Sequence, residues 1–440
     1  MTANAEIKRQ CQETNTKISA WEQENGSLAT IEPAAKKKKT KTHSYEDKSN
    51  AKMTTSEQVS TFVKTVTEAK LLDVEVDDDL FHLCAEASVA IYDNPSKAEF
   101  QTSLKASTIG EKFPDLHVHF FQNGITVGRD VPESISLNPP TFASIFVGST
   151  LILCWRGSTT IKDWLIDLKI KSTKPFDAEN SDLEVHAAMY DVFKEKYKAN
   201  FLFIEKYVKG DYNLRGDFKK DGVPITKILL TGHSLGGGLA NIAHLCLTIP
   251  SEDWKSLVET CEDKKVIIKT LAFSAPMTTI VDTVVDGDTA VNDIKKEKME
   301  KMKKLLNDKI FPNVYNIYFL GDVVPRAYSH LEYLNDFVNG LLIRNSSLNC
   351  VARSIVQVIK AFAEDHNLLE QALKYSHIGQ LIELKGPTNA TPTTCDDKGG
   401  GAKYTNPATY NNNFFRKVRF AEYEVSSETV LTHHVFWELY

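Results

Sequence analysis

From about residue 57 onward, apolar and polar positions alternate between helical and strand spacing. Residues 78–92 (DDLFHLCAEASVAIY) predict an amphipathic helix. Residues 116–121 (LHVHFF) predict a strand, and residues 142–155 (FASIFVGSTLILCW) a long buried one. Residues 184–208 place Val185, Met189, Val192, Phe193 and Tyr197 at helical intervals. Short apolar runs follow at 226–231 (TKILLT), 264–273 (KKVIIKTLAF) and 313–320 (NVYNIYFL), with a last strand at 416–425 (RKVRFAEYEV). Strands that alternate with helices predict an α/β fold: a mainly parallel central sheet flanked by helices. Residues 294–310 read as a basic helix lying on that sheet, residues 336–373 as an inserted helical pair, and residues 386–413 as a turn-rich loop.

Residues 1–56 break this pattern. They hold few large apolar side chains and a basic run, Lys36 to Lys41 (KKKKTK). Such a segment buries too little surface to offset the entropy of ordering it, so a disordered charged tail precedes a single domain over 57–440. The whole chain of 440 residues has 52 basic and 58 acidic side chains, a net charge of −6. That balance gives no reason to expect nucleic-acid binding. No apolar run is long enough for a transmembrane helix, and the N-terminus lacks the apolar core of a secretory signal. Seven scattered cysteines without a C-x-x-C pair suggest neither a disulfide framework nor a zinc site. These features predict a cytoplasmic setting.

The chemistry-bearing signal is Gly232-His233-Ser234-Leu235-Gly236, a G-x-S-x-G motif. A strand precedes it and a helical pattern follows, the setting that a nucleophile elbow requires. Glycines at 232 and 236 let strand and helix approach closely, and the helix N-terminus behind Ser234 favours developing negative charge. The N–H of Leu235, next after the nucleophile, is an oxyanion donor in such a turn.

A serine hydroxyl needs a base, and the base a carboxylate to orient it. In this architecture the chain order is serine, acid, histidine. Asp322 follows the strand at 313–320 directly and suits the acid. His330, His366, His377, His433 and His434 all follow it. A position after the last strand favours the pair His433 and His434, with His377 as the next candidate.

Together these residues resemble the class 3 (fungal-type) triacylglycerol lipases. Five segments correspond in order: Trp155-Arg156-Gly157-Ser158 with the following I-x-x-W, Val185-His186-Ala187-Ala188-Met189, the GHSLGGGLA block at 232–240, Ala272-Phe273-Ser274-Ala275-Pro276, and Gly321-Asp322-x-Val324-Pro325. The resemblance implies an α/β-hydrolase-like fold; the family's short link after the acid-bearing strand is expanded here into a helical insertion (336–373). It implies a catalytic triad of Ser234, Asp322 and His434, the last followed by an aromatic at Trp437. His433 is its rival, and Tyr375-Ser376-His377 resembles a structural histidine segment. Ser158 would be a second oxyanion donor. Residues 160–167 match a short lid helix whose apolar face would be Ile161, Trp164 and Leu165. Two positions depart from the family: Ala188 stands for a glycine and Met189 for an aromatic. The activity implied is that of a triacylglycerol lipase-type serine ester hydrolase acting without metal or organic cofactor on acylglycerols at a lipid–water interface. That places it at a membrane or lipid-droplet surface. A phospholipase A1, a small-substrate esterase and a non-catalytic interaction scaffold are the alternatives.

Overall fold

The computed structural model describes residues 77–94, 96–123, 140–157, 171–176, 183–210, 223–281, 301, 304–319, 324–326, 374–384 and 403–404. In chain order the helices are α1 (Asp78–Asp93), α2 (Lys97–Ala106), α3 (Ala187–Lys209), α4 (Leu235–Thr248) and α5 (Lys255–Asp263). The strands are β1 (His117–Asn123), β2 (Pro140–Val147), β3 (Thr150–Trp155), β4 (Ser172–Thr173), β5 (Leu183–His186), β6 (Lys227–His233), β7 (Ile267–Phe273), β8 (Thr279–Val281), β9 (Val314–Phe319), β10 (Tyr375–Ser376), β11 (Gln380–Leu384) and β12 (Lys403–Tyr404).

The main sheet runs β1-β2-β3-β6-β7-β9-β11-β12. Its centre, β3 through β11, is parallel. The edges, β1-β2-β3 on one side and β11-β12 on the other, are antiparallel. A second, antiparallel sheet runs β10-β8-β5-β4. The α/β expectation therefore holds for the described residues.

Side-chain alternation divides the core into two layers. Leu151, Leu153, Trp155, Ile228 and Leu230 face α3, α4 and α5 on one side of the sheet. Ile152, Cys154, Leu229, Leu271 and Tyr315 face α1 and α2 on the other. A parallel centre needs both faces covered, and β3 (TLILCW) accordingly reads as an almost unbroken apolar run, all six residues buried. Every residue of α4 is buried, and its buried polar side chains Asn241, His244 and Thr248 are matched by Asn316 Oδ1, Thr270 Oγ1 and the His244 carbonyl. The helix starts carry their own caps. Asp77 accepts from the Asp79 N–H at 2.9 Å, and ahead of α2 Ser96 Oγ accepts from the Glu99 N–H at 3.2 Å while its hydroxyl donates to the Glu99 carboxylate at 2.7 Å.

One expectation is corrected. The apolar run 142–155 is two strands, not one: β2 and β3 form a hairpin that pairs Val147 with Thr150. Gly148, at φ 57°, turns the chain there. Its Gly-Ser pair is a hairpin signal hidden within an otherwise continuous apolar run. The helix expected over 184–208 also gives its first residues to β5, and Gly210 at φ 75° closes it. The expected tail, most of the basic helix at 294–310, the insertion at 336–373 and the strand at 416–425 lie outside the described residues.

Candidate active site

Parallel register brings the ends of the central strands to one edge. Trp155 pairs with Gly232, His233 with Phe273, and Phe273 with Ile317. Ser234 sits at this edge, between the last residue of β6 and the first of α4. Its backbone is at φ 57°, ψ −128°. That region is sparsely populated for a residue with a side chain and costs on the order of 1–3 kcal/mol. The surroundings impose it. The Ser234 N–H donates to the Phe273 carbonyl at 2.9 Å, and the Gly238 N–H donates to the Ser234 carbonyl at 3.1 Å.

The glycines are required by close approach. A Cβ on Gly236 would stand 2.1 Å from the Trp155 carbonyl oxygen, and one on Gly232 2.5 Å from the Gly236 carbonyl carbon. The strand and helix of the elbow are thus in backbone contact, as the motif predicts.

Ser234 is 2% exposed, and its Oγ has no hydrogen-bond partner among the described residues. A hydroxyl without a partner at a strained turn is free to meet an incoming base and substrate. Leu235 is the first residue of α4, so its N–H has no acceptor within that helix and adds to the positive end of the dipole.

The turn after β3 lies against this elbow. A Cβ on Gly157 would be 3.0 Å from Ser234 Cβ, 2.4 Å from the His233 carbonyl oxygen and 2.0 Å from the Tyr92 hydroxyl. Only a residue without a side chain fits. Ser158 follows Gly157 in the chain, but it lies outside the described residues. So do Ile161, Trp164, Leu165, Asp322, His433 and His434.

His377 is described. It is 2% exposed, and its Nε2 is 2.6 Å from the Pro325 carbonyl oxygen, so that nitrogen donates to the segment just after Asp322. Tyr318 stacks on its ring, 6.4 Å between centroids and 6° between planes. Met189, which stands for an aromatic, is fully buried and packs against the elbow helix. Its Sδ is 3.2 Å from where a Cβ on Gly238 would be.

Sequence reasoning missed Tyr92. It ends an ordinary amphipathic helix, and nothing in its spacing marks it. Its hydroxyl is 3.0 Å from His233 Nδ1. Among the described residues, no group of three or more His, Cys, Asp or Glu side chains could hold a metal ion.

Residues 152–331 match the family model described as lipase (class 3). This segment of the chain is similar to the class 3 lipases. The matched segment runs from within β3 through the elbow to beyond Asp322. It includes neither α1 nor the C-terminal histidines.

Comparison with curated proteins found no match. Among solved structures, mono- and diacylglycerol lipase from Aspergillus oryzae is 15% identical, with 82% of this chain and 95% of that chain covered and a TM-score of 0.40. Lipase II from Rhizopus niveus is 12% identical, with 70% and 80% covered and a TM-score of 0.37. The lipase from Rhizopus microsporus var. chinensis is 13% identical, with 85% and 86% covered and a TM-score of 0.38. The likeness to class 3 lipases rests on the family match over residues 152–331, and the fold on the strand order described above.

Proposed function

We propose that this protein cleaves carboxylic esters of acylglycerols through an acyl-enzyme on Ser234. The observation that carries the reading is Ser234 itself. It sits in a strained, glycine-framed turn at the head of a buried helix, its hydroxyl without a partner among the described residues. In this reading Ser234 Oγ attacks the ester carbonyl while His434 takes its proton. Asp322 orients the imidazole and stabilises the imidazolium. The N–H groups of Leu235 and Ser158 hold the oxyanion; losing one such donor typically lowers the rate by about 10²–10³. His434 then protonates the leaving alcohol, and water releases the fatty acid.

Ile161, Trp164 and Leu165 would form the apolar face of a lid. Exposing that face costs free energy in water and gains it on a lipid surface. Four described cysteines, Cys84, Cys154, Cys246 and Cys261, are free and buried, which suits a reducing, cytoplasmic setting. Among the described residues, no helix is long and apolar enough to cross a membrane.

The test compares wild type with Ser234→Ala on tributyrin below and above its solubility limit, and on emulsified diacylglycerol and phosphatidylcholine. The expected result is hydrolysis of the glycerides that rises sharply above the solubility limit and vanishes in the variant. Hydrolysis confined to dissolved ester would remove the lid and interface from the reading. Faster cleavage of phosphatidylcholine would replace acylglycerol as substrate. Activity that survives Ser234→Ala would remove the mechanism.

A further inference from the structure

Helix α1 lies outside the matched lipase segment, yet it reaches the catalytic elbow twice. Ser88 Oγ is 3.1 Å from Thr231 Oγ1, and Tyr92 Oη is 3.0 Å from His233 Nδ1. The pairs are register-matched. Four residues along a helix rise about 6 Å, and two along a strand about 6.6 Å. One face of α1 therefore tracks one face of β6 up to the residue before Ser234.

The Tyr92 hydroxyl touches three parts of the site. It meets the His233 ring, it lies 3.4 Å from the His233 carbonyl oxygen, and it fills the space that a Gly157 side chain would occupy. That carbonyl belongs to the peptide joining His233 to Ser234. The other side of this peptide is already fixed, since the Ser234 N–H donates to Phe273. A phenolic hydroxyl has one proton. If it goes to the carbonyl, His233 Nδ1–H must donate to the tyrosine; if it goes to Nδ1, the tyrosine donates nothing to the carbonyl. Either way His233 and Tyr92 hold each other, and both press against the turn that leads to Ser158.

We propose that Tyr92 is a positioning residue for ester hydrolysis. Its hydroxyl sets the spacing between the Gly157 turn and the His233–Ser234 peptide that leads into the nucleophile. It acts through His233 and not on substrate. This rests on the reading of Ser234 as nucleophile. Its effect belongs in kcat, because small misplacements of reacting groups cost rate more than ground-state binding.

The experiment uses the full chain as wild type, Tyr92→Phe, His233→Asn, the double variant and Ser234→Ala. Turnover of p-nitrophenyl butyrate is normalised to active sites titrated with a fluorophosphonate. Tyr92→Phe is expected to lower kcat per titrated site about tenfold, the scale of one lost hydrogen bond, with KM within about twofold of wild type. The double variant should lose no more than the worse single one, because both remove the same link. Wild-type turnover per titrated site in Tyr92→Phe would overturn the proposal, whether total activity is kept or falls only through lost active fraction. A rise in KM with kcat kept would overturn it too, by making Tyr92 a substrate contact. Additive losses in the double variant would overturn the route through His233. Were Tyr92→Phe not to fold, His233→Asn alone would probe the same link: a kcat loss with KM kept supports it, and unchanged kcat overturns it. Activity retained by Ser234→Ala would sink the underlying reading instead, and so separates the two failures.

Discussion

The elbow and the segment after Asp322 are held in opposite ways. At the elbow, backbone packs on backbone: glycines at 232 and 236 admit the Trp155 carbonyl of the neighbouring strand, and α4 begins at once. After β9, the Pro325 carbonyl is held by a side chain, His377 Nε2, from 52 residues further on. The elbow's demands fall on two glycines that bracket the serine, and so leave a compact trace in sequence. A tether between distant residues leaves only a histidine among several.

The largest contrast should come from Ser234→Ala. Removing the nucleophile alone is expected to lower kcat by a factor on the order of 10⁶ while leaving the thermal midpoint nearly unchanged. Steady-state kinetics beside a melting curve measures both. A retained midpoint would show the elbow's strain to be carried by its neighbours and not by the hydroxyl.

Gly236→Ala attacks the same region through packing. Its Cβ would meet the Trp155 carbonyl oxygen at 2.1 Å, with backbone on both sides and nowhere to retreat. The expectation is a loss of about 3 kcal/mol in a urea titration, together with loss of activity. A variant of wild-type stability would mean that the elbow is looser than its contacts indicate.

On the other side, His377→Ala removes the partner of a buried carbonyl. It should cost about 1–3 kcal/mol and lower kcat modestly, with part recovered in His377→Gln. A fall on the order of 10⁶ in kcat with stability intact would instead make His377 the base and displace His434.

A smaller effect concerns His244, buried in α4 with Nδ1 2.9 Å from Thr270 Oγ1. Burial lowers its pKa to about 3; a contact with the Lys309 backbone works against that shift, and the nearby Lys269 charge adds to it. Unfolded, it titrates near 6.5. Between those values the unfolded chain binds the extra proton, so the stability from neutral His244 is present above about pH 6.5 and is lost as pH falls towards 3. The slope is at most about 1.4 kcal/mol per pH unit. Urea midpoints from pH 7 to 4 should flatten in His244→Gln, and an unchanged slope would assign the acid sensitivity elsewhere.

The smallest expected signal is in the thiols. Burial raises the Cys154 and Cys261 thiols to about 12 and pushes Cys84 and Cys246 up as well. None of the four should react with a thiol reagent until the protein is unfolded.

Much of the parallel centre was legible because its strands are short apolar runs divided by helical patterns. The elbow was legible because its chemistry and its steric demands occupy five adjacent residues. The hairpin at Gly148 was not, since its turn interrupts apolar residues without a polar cluster. β11 was missed too: its place beside β9 comes from parallel pairing across a long separation, Gln380 against Tyr315. Tyr92 was invisible for a related reason. Its importance lies in the elements it joins, α1, β6 and the Gly157 turn, and not in its own neighbours along the chain.

The most direct test of the central claim is to trap the acyl-enzyme. Wild-type protein mixed with p-nitrophenyl butyrate is quenched in acid during the first turnovers, digested and analysed by mass spectrometry. The account predicts a butyryl group on the peptide containing Ser234, formed with a burst of p-nitrophenol. A butyryl group on another residue of the active enzyme, with Ser234 unmodified, would contradict it.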